Sequence, residues 1–161
     1  MTEAEETAMG LIIIVLALGY LLLNLILYIF HSIGVQKIAK RQGVKSHWAA
    51  WIPIVSSFLF VHLTESIVHK PLKGNMVLLY GVTLVTAFLG GFWKLPFLAI
   101  FSIITIIYAF YFLAKRYSKR YIAHFVVAVI TLGASVSISV FIFRNNEDTN
   151  DFKNQIIENE Q

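Results

Sequence analysis

The chain has no cysteine among its 161 residues, and this absence removes several kinds of chemistry at once. Disulfide bonds, thiolate metal sites, cysteine nucleophiles and palmitoylation all need a thiol. Charge is also scarce, since only 14% of the residues are Asp, Glu, Lys or Arg, against about a quarter in an ordinary soluble domain. Hydrophobic residues make up 58%, and the mean hydropathy is +0.73. This composition, concentrated in long apolar runs, is typical of a membrane protein.

Acidic residues are nearly absent from the middle of the chain, where Glu65 stands alone between the opening "MTEAEET" and the closing "NEDTNDFKNQIIENEQ". Both Asp residues, Asp148 and Asp151, belong to the closing segment, which excludes an intramembrane aspartyl protease. The GxSxG, HExxH and Walker patterns are missing as well. The sequence therefore predicts a protein that is not an enzyme.

Four apolar segments are long enough to cross a bilayer, whose hydrocarbon core of about 30 Å needs about 20 helical residues. They cover about residues 10–30, 76–92, 95–114 and 121–143. We therefore expect an all-α fold, an integral membrane helical bundle with four transmembrane helices. Residues 1–143 should form a single membrane domain, and residues 144–161 an acidic polar tail.

A fifth segment, residues 48–68, is apolar but irregular. Pro53 disfavours a helical residue before it, and Glu65 at membrane depth is costly unless it is paired or near the interface. Trp48 and Trp51 have amphipathic rings that settle at the headgroup level, and Trp93 should anchor the turn between the second and third spans. We expect residues 48–68 to be a re-entrant or interfacial segment, with a tilted crossing as the alternative.

The distribution of cations decides between these topologies. With four spans, ten Lys and Arg residues fall on one side and only Lys94, Arg144 and Lys153 on the other, whereas a fifth crossing gives seven against six. The positive-inside rule prefers the first arrangement, which puts the ten cations in the cytoplasm and both termini outside. The net charge of +4 thus indicates membrane orientation and attraction to anionic lipid rather than nucleic-acid binding.

Three side chains have the chemistry of metal ligands. His62, Glu65 and His69 are spaced i, i+3 and i+7, within about 60° of one helix face. Imidazole and carboxylate groups bind zinc or iron, and an intramembrane Glu can carry protons. The simpler interpretation is an amphipathic stretch whose polar side faces water, with Glu65 paired to a nearby Lys. Because a fourth ligand is missing, we expect no metal site and no cofactor.

Small and polar residues within the spans indicate helix packing. Asn24 lies in the middle of the first span, where an amide side chain should bond to a neighbouring helix. In the last span two pairs are four residues apart, Gly133 with Ser137 and Ser135 with Ser139. Such small-residue faces allow helices to approach closely, within the chain or between protomers. We expect these five residues to serve helix packing.

The segment "KIAKRQGVKSHWAAWIPI" resembles one in an uncharacterised group of small polytopic bacterial membrane proteins, many from Gram-positive species. In that group a basic stretch, a glycine, a tryptophan and an Ile-Pro pair follow the first span. The matching positions are Lys37, Lys40, Gly43, Trp48, Ile52 and Pro53. The resemblance implies a multi-pass bacterial membrane protein and carries no assigned activity.

The sequence thus predicts a multi-pass protein of a bacterial cytoplasmic membrane, most directly a non-enzymatic accessory or partner subunit of a membrane complex. Its helix-packing faces and the lack of charge within the spans favour this role. A small transporter or channel is the first alternative and would need a polar path. A subunit that binds a cofactor or metal through histidine is the second, since all five histidines lie near the predicted cytoplasmic boundary. The expected partners are anionic lipid, another membrane protein or a second copy of the chain.

Overall fold

The computed structural model describes residues 3–93 and 95–149, and within them the chain is all-α, as predicted, without a β-strand. Three short 3₁₀ turns, at His47–Trp51, Lys70–Leu72 and Pro96–Leu98, lie between the helices. The helices are α1 (Glu3–Arg41), α2 (Pro53–His62), α3 (Met76–Phe92), α4 (Ala99–Tyr117), α5 (Tyr121–Ile130) and α6 (Val136–Phe143).

The first helix is much longer than the span predicted over residues 10–30. α1 has 39 residues, so at 1.5 Å per residue it is roughly 58 Å long. It has no proline, and no charged residue stands between Glu6 and Lys37, so nothing in its middle favours a break. Residues 9–26 are exposed on every side, whereas residues 27–41 pack against the rest of the chain. The bundle is therefore built on the second half of α1.

Two helices of the described chain, α1 and α4, are long and apolar enough to cross a membrane by length and composition. α3 has 17 residues, which is about the lower limit for a helix that spans the hydrocarbon core. The predicted all-α fold is confirmed by these helices, but a bundle of four spans is not.

Residues 47–62 leave the end of α1 and return to it. The turn His47–Trp51 runs back along α1, where the Trp51 indole donates to the Gln36 amide oxygen at 3.0 Å. α2 then ends at His62, which lines a pocket together with Gln42 at the end of α1. With 10 residues, or roughly 15 Å, α2 is too short to cross a hydrocarbon core of about 30 Å.

Proline and glycine shape two turns where the sequence predicts them. Ile52 is extended and α2 begins at Pro53, because proline fits the first helical turn and keeps the preceding residue out of the helix. The turn between α3 and α4 is equally tight. A Cβ atom at Gly90 would lie 2.7 Å from the Leu98 side chain, so only glycine fits at that position.

The single span predicted over residues 121–143 is wrong, because α5 and α6 form a hairpin there. The His124 Nδ1 atom is 3.1 Å from the Ser139 hydroxyl, and the ring centres of His124 and Phe143 are 4.9 Å apart. In one straight helix, the 15 positions between His124 and Ser139 would separate them by roughly 22 Å. The segment therefore starts and finishes at the same end of the bundle.

The hairpin turns at residues 131–135, where the backbone leaves the helical conformation. Leu132 and Gly133 have φ angles of 48° and 90°, a left-handed conformation that suits Gly and strains Leu. The Gly133 N–H donates to the Ala128 carbonyl oxygen at 2.7 Å and satisfies the end of α5. The hydroxyl groups of Thr131 and Ser135 are 3.0 Å apart across the turn. These bonds replace those of a continuous helix.

Gly34 sets the closest approach of α1 to α6. A Cβ atom at this position would lie 2.8 Å from the carbonyl carbon and oxygen of Val140, so the two backbones nearly touch. The Phe30 and Phe141 rings stack beside this contact, 4.7 Å apart. The fully buried side chains that surround it and fill the same half of the bundle include Val35, Ile38, Phe60, Leu63, Met76, Phe110, Leu113 and Phe143.

Replacing Gly34 with alanine should lower the midpoint of thermal unfolding in detergent, because the new methyl group meets the main chain of Val140. Overpacking of this kind costs about 1–3 kcal/mol. Gly19→Ala is the matched control, since nothing lies within 4 Å of a Cβ there. Equal midpoints for the two variants would contradict the close contact between α1 and α6.

Candidate functional site at the basic end

The described Lys and Arg residues gather at one end of the helices, which we call the basic end. The ends of α1 and α4 meet there, because the Gln42 amide donates to the Tyr117 hydroxyl at 3.1 Å. The end of α6 joins them, since the Arg41 guanidinium donates to the Arg144 carbonyl oxygen at 3.3 Å. The segment before α3 is also there, because Lys73 lines the same pocket as Gln42. The basic end comprises Lys37, Lys40, Arg41, Lys45, Lys70, Lys73, Lys115, Arg116, Lys119, Arg120 and Arg144.

Arg144 is the one member of this group that the sequence assigns to the opposite side. The assignment fails because α5 and α6 form a hairpin rather than a crossing, so the chain after α6 returns to the end of α4. The predicted separation of the tail from Lys115 and Arg116 is therefore wrong for residues 144–149. Lys94 and the rest of the predicted acidic tail, residues 150–161, lie outside the described residues.

Residues 146–149 fasten the chain after α6 to the end of α4, in a contact that we call the tail clasp. Arg116 holds the Asp148 carboxylate with two parallel hydrogen bonds, from Nε to Oδ1 and from Nη2 to Oδ2, both at 3.0 Å. The two side chains are only 16% and 24% exposed, so water and salt screen the pair less than an open surface pair. The Arg116 guanidinium also lies 5.3 Å from the centre of the Tyr117 ring.

The tail clasp also completes the backbone hydrogen bonding of α4, whose last carbonyl groups have no partner within the helix. The Asn146 side chain donates to the Tyr117 carbonyl oxygen at 2.9 Å. The Thr149 N–H donates to the Arg116 carbonyl oxygen at 2.8 Å. The Thr149 hydroxyl donates to the Lys115 carbonyl oxygen at 3.1 Å. Three consecutive carbonyl groups of α4 are thus bonded by the returning chain.

The structure brings together two of the three predicted metal-ligand candidates. His62 Nδ1 is 2.8 Å from one Glu65 carboxylate oxygen, and the other accepts a hydrogen bond from the Val77 N–H at 3.3 Å. Glu65 therefore links the end of α2 to the first turn of α3, where a negative charge is favoured. His69 lies apart, with Nδ1 2.8 Å from the Tyr108 hydroxyl. Among the described residues no three His, Asp or Glu side chains are grouped closely enough to hold a metal ion.

An open polar pocket of about 360 Å³ lies beside the His62–Glu65 pair at the basic end. Lys73 and Gln42 supply further polar groups on its wall. The pocket can receive a small polar solute from the basic side. Within it, however, the Glu65 carboxylate is already engaged by His62 and by the start of α3. Glu65 thus serves to join α2 to α3. Gln42 and Lys73 are side chains of the pocket wall that remain to contact a solute.

Asn24 and the three tryptophans occupy different environments. The Asn24 amide donates to the Tyr20 carbonyl oxygen of its own helix at 2.8 Å, not to the neighbouring helix that the sequence predicts. Trp48 and Trp93 are 60% and 65% exposed, at the first connection and at the opposite end of the bundle. Trp51 is half exposed and bonded to α1 through its indole N–H. All three rings are thus exposed enough to contact lipid headgroups, which their predicted role as interface anchors requires.

Of the two small-residue pairs predicted on one last helix, the Gly133–Ser137 pair is wrong. Gly133 lies in the hairpin turn with a φ angle of 90°, so it shares no helical face with Ser137. Ser135 directly precedes α6 in a helical conformation, and its carbonyl oxygen accepts from the Ser139 N–H at 3.0 Å, so this pair does lie one turn apart. Ser139 is buried and bonds across the hairpin to α5. The close helix contact is supplied instead by Gly34, on α1.

The tail clasp is the part of the basic end that sequence reasoning misses. Arg116 and Asp148 are 32 positions apart, and nothing in the spacing of charges links them. The only local signal is "NNEDT", residues 145–149, whose Asn, Asp and Thr side chains are the types that bond free backbone groups.

No protein-family model, curated protein or solved structure matches the chain. The resemblance of its Lys37–Pro53 segment to small polytopic bacterial membrane proteins stays a prediction. Function is therefore inferred from the basic end and from the apolar surface of the helices that lead away from it.

Asp148→Ala should loosen the chain after α6, because it removes both hydrogen bonds from Arg116. Loss of such a partly buried, charged partner costs about 1–3 kcal/mol, so the unfolding midpoint should fall and the Thr149 amide should exchange hydrogen faster. Glu147→Ala is the control, since that neighbouring carboxylate is exposed and has no ion pair with the described residues. The clasp is refuted if Thr149 exchanges at the same rate in both variants.

Proposed function

We propose that the chain is a multi-pass protein of a bacterial cytoplasmic membrane and a non-enzymatic accessory or partner subunit of a membrane complex. The observation that carries this proposal is the division of the surface into a basic end and apolar flanks. The outward side chains of the long helices are large and apolar, among them Leu78, Val82 and Phe88 of α3 and Ile100 and Ile104 of α4. A contiguous apolar surface of this extent is stable in hydrocarbon and not in water.

Three helices cross the membrane in this proposal, namely α1, α3 and α4. Residues 47–62 and the α5–α6 hairpin enter from the basic end and return to it. The hairpin turn suits such a position because its backbone groups are bonded within the protein. The positive-inside rule then places the basic end, with residues 144–149, in the cytoplasm, and the start of α1 outside. Anionic lipid of the inner leaflet contributes about 1 kcal/mol for each Lys or Arg near the surface.

The first half of α1 supports the role of a partner subunit. Residues 9–26 form a helix roughly 27 Å long that is exposed on all sides and apolar except for Asn24. The buried core uses α1 only from Ser32 onward. The fold is therefore complete without this half of α1, which is left for contact with another membrane helix.

Single cysteines introduced into this cysteine-free chain test the proposed topology. Glu147→Cys and Ser118→Cys should resist an impermeant thiol reagent added to intact cells, because both positions lie at the basic end. Gly91→Cys, at the opposite end of α3, should react and is the positive control. Permeabilised cells should show labelling of all three.

Labelling of Glu147→Cys in intact cells, with Ser118→Cys still shielded, would mean that the α5–α6 segment crosses the bilayer. Shielding of Gly91→Cys together with labelling of Ser118→Cys would instead reverse the orientation. Either result contradicts the proposed topology without bearing on the partner.

A photoreactive amino acid placed at each position from Leu16 to Leu23 tests the partner role in native membranes. Cross-links to a second protein should recur every three or four positions, because one face of a helix repeats with a period of 3.6 residues. Leu78 on α3 is the control position, since it is 70% exposed and is not proposed to contact the partner.

Cross-links to lipid alone at every α1 position would contradict the partner role. A cross-linked product of twice the mass of the chain would identify the partner as a second copy.

A further inference from the structure

An apolar groove of about 450 Å³ runs between α4 and α5. The Tyr111 ring on α4 meets the Phe125 ring on α5 with centres 5.3 Å apart, and this contact joins the two walls. The hydroxyl of Tyr108 in the wall is bonded to His69, so it is not left unsatisfied beside an apolar occupant. The groove is lined by Ile104, Ile107, Tyr108, Tyr111, Phe125 and Val129.

Cations stand at one end of this groove. Lys115 is four positions after Tyr111 on α4, and Arg120 is five positions before Phe125, so both lie roughly 6–8 Å beyond the aromatic contact along the helices. Lys119 lies between them in the chain. Within the described residues none of these three side chains has an ion pair.

The carboxylates nearby do not cancel this charge. Asp148 is held by Arg116 in the tail clasp, which leaves Glu147 in the hollow that it lines with Lys119 and Arg120. Among residues 3–93 and 95–149, one carboxylate against three cations leaves the end of the groove positive. The groove therefore has a cationic end and an apolar body. These two parts are complementary to the anionic headgroup and the hydrocarbon chain of an anionic phospholipid.

The length of the groove fits one leaflet. From Lys115 to Ile104 is 11 positions along α4, or roughly 16 Å, which is about half of a hydrocarbon core of about 30 Å. The α5 wall ends at Ile130, where the hairpin turns back, so the groove ends near the middle of the bilayer. One acyl chain of a phospholipid whose headgroup sits at the basic end would occupy this depth.

We propose that the α4–α5 groove is a binding site for one anionic phospholipid, whose phosphate contacts Lys115, Lys119 and Arg120 and one of whose two acyl chains lies along Tyr111 and Val129. The site rests on the proposed membrane topology and adds to it a specific, retained lipid in place of general attraction to the inner leaflet. The hairpin forms one wall, so the lipid also joins α5 to α4.

Lipid titration of the full-length, delipidated protein in mild detergent tests the site, with native mass spectrometry as the measurement. Phosphatidylglycerol should bind with a stoichiometry of one and more tightly than phosphatidylcholine. Lys119→Ala combined with Arg120→Ala should weaken phosphatidylglycerol binding at least about tenfold, because two cations near the phosphate are lost. Val129→Trp should weaken both lipids, because the indole fills the groove.

Matched controls separate the site from general effects. Lys40→Ala combined with Lys45→Ala removes two cations of the basic end away from the groove, and Val82→Trp adds the same bulk to an exposed position on α3. Both controls should bind phosphatidylglycerol as the unaltered chain does. Equal losses in the controls and the groove variants would overturn the site.

Cross-linking in the unaltered chain keeps the test independent of variants that fail to fold. Phosphatidylglycerol with a photoreactive acyl chain should attach to peptides that contain Tyr111 or Phe125. Attachment spread evenly over α1 and α3, or a lipid-free dimer whose interface covers Tyr111 and Phe125, would overturn the proposal. Because cysteine labelling reports the topology separately, failure of the lipid site is distinguishable from failure of the proposed function.

Discussion

The gathering of cations at one end of the helices is the constraint on which the rest of the structure depends. α1 and α4 both finish there with Lys and Arg in their last turns, where positive charge also interacts favourably with the helix dipole. A charged side chain carried to the middle of a bilayer would be costly, so the connections that bear most of the cations stay at this end. A short apolar segment that leaves the basic end can keep its next cation at that end only by coming back. Residues 47–62 and the α5–α6 hairpin both follow this rule.

Two carboxylates hold the basic end together, and both join parts of the chain that cations alone would push apart. Glu65 connects the end of α2 to the start of α3, through His62 and a backbone N–H. Asp148 connects the end of α4 to the chain after α6, through Arg116. The α4–α5 groove lies next to the second of these links, so the same returning chain that stabilises α4 also closes the hairpin that forms a groove wall.

Local sequence signals predict part of this structure and long-range contacts decide the rest. Pro53 predicts the start of α2, because proline acts through its own backbone. A count of hydropathy does not predict the hairpin over residues 121–143, because its turn at Leu132 and Gly133 contains no charge and no proline. The Arg116–Asp148 pair cannot be predicted from the sequence for another reason. The two residues come together only when the hairpin brings the chain after α6 back to the end of α4. The ten cations assigned to one side are together in the structure, and Arg144 joins them through that hairpin.

In the proposed topology, the length of α1 has a consequence for the membrane around it. Its apolar stretch from Gly10 to Val35 covers roughly 26 residues, or about 39 Å, which exceeds a hydrocarbon core of about 30 Å by about 9 Å. An upright α1 would push apolar side chains into water, so it has to lean by up to about 40° or thicken the bilayer locally. Since its second half is fixed to α6 at Gly34, a change in bilayer thickness alters the angle at which the whole bundle sits.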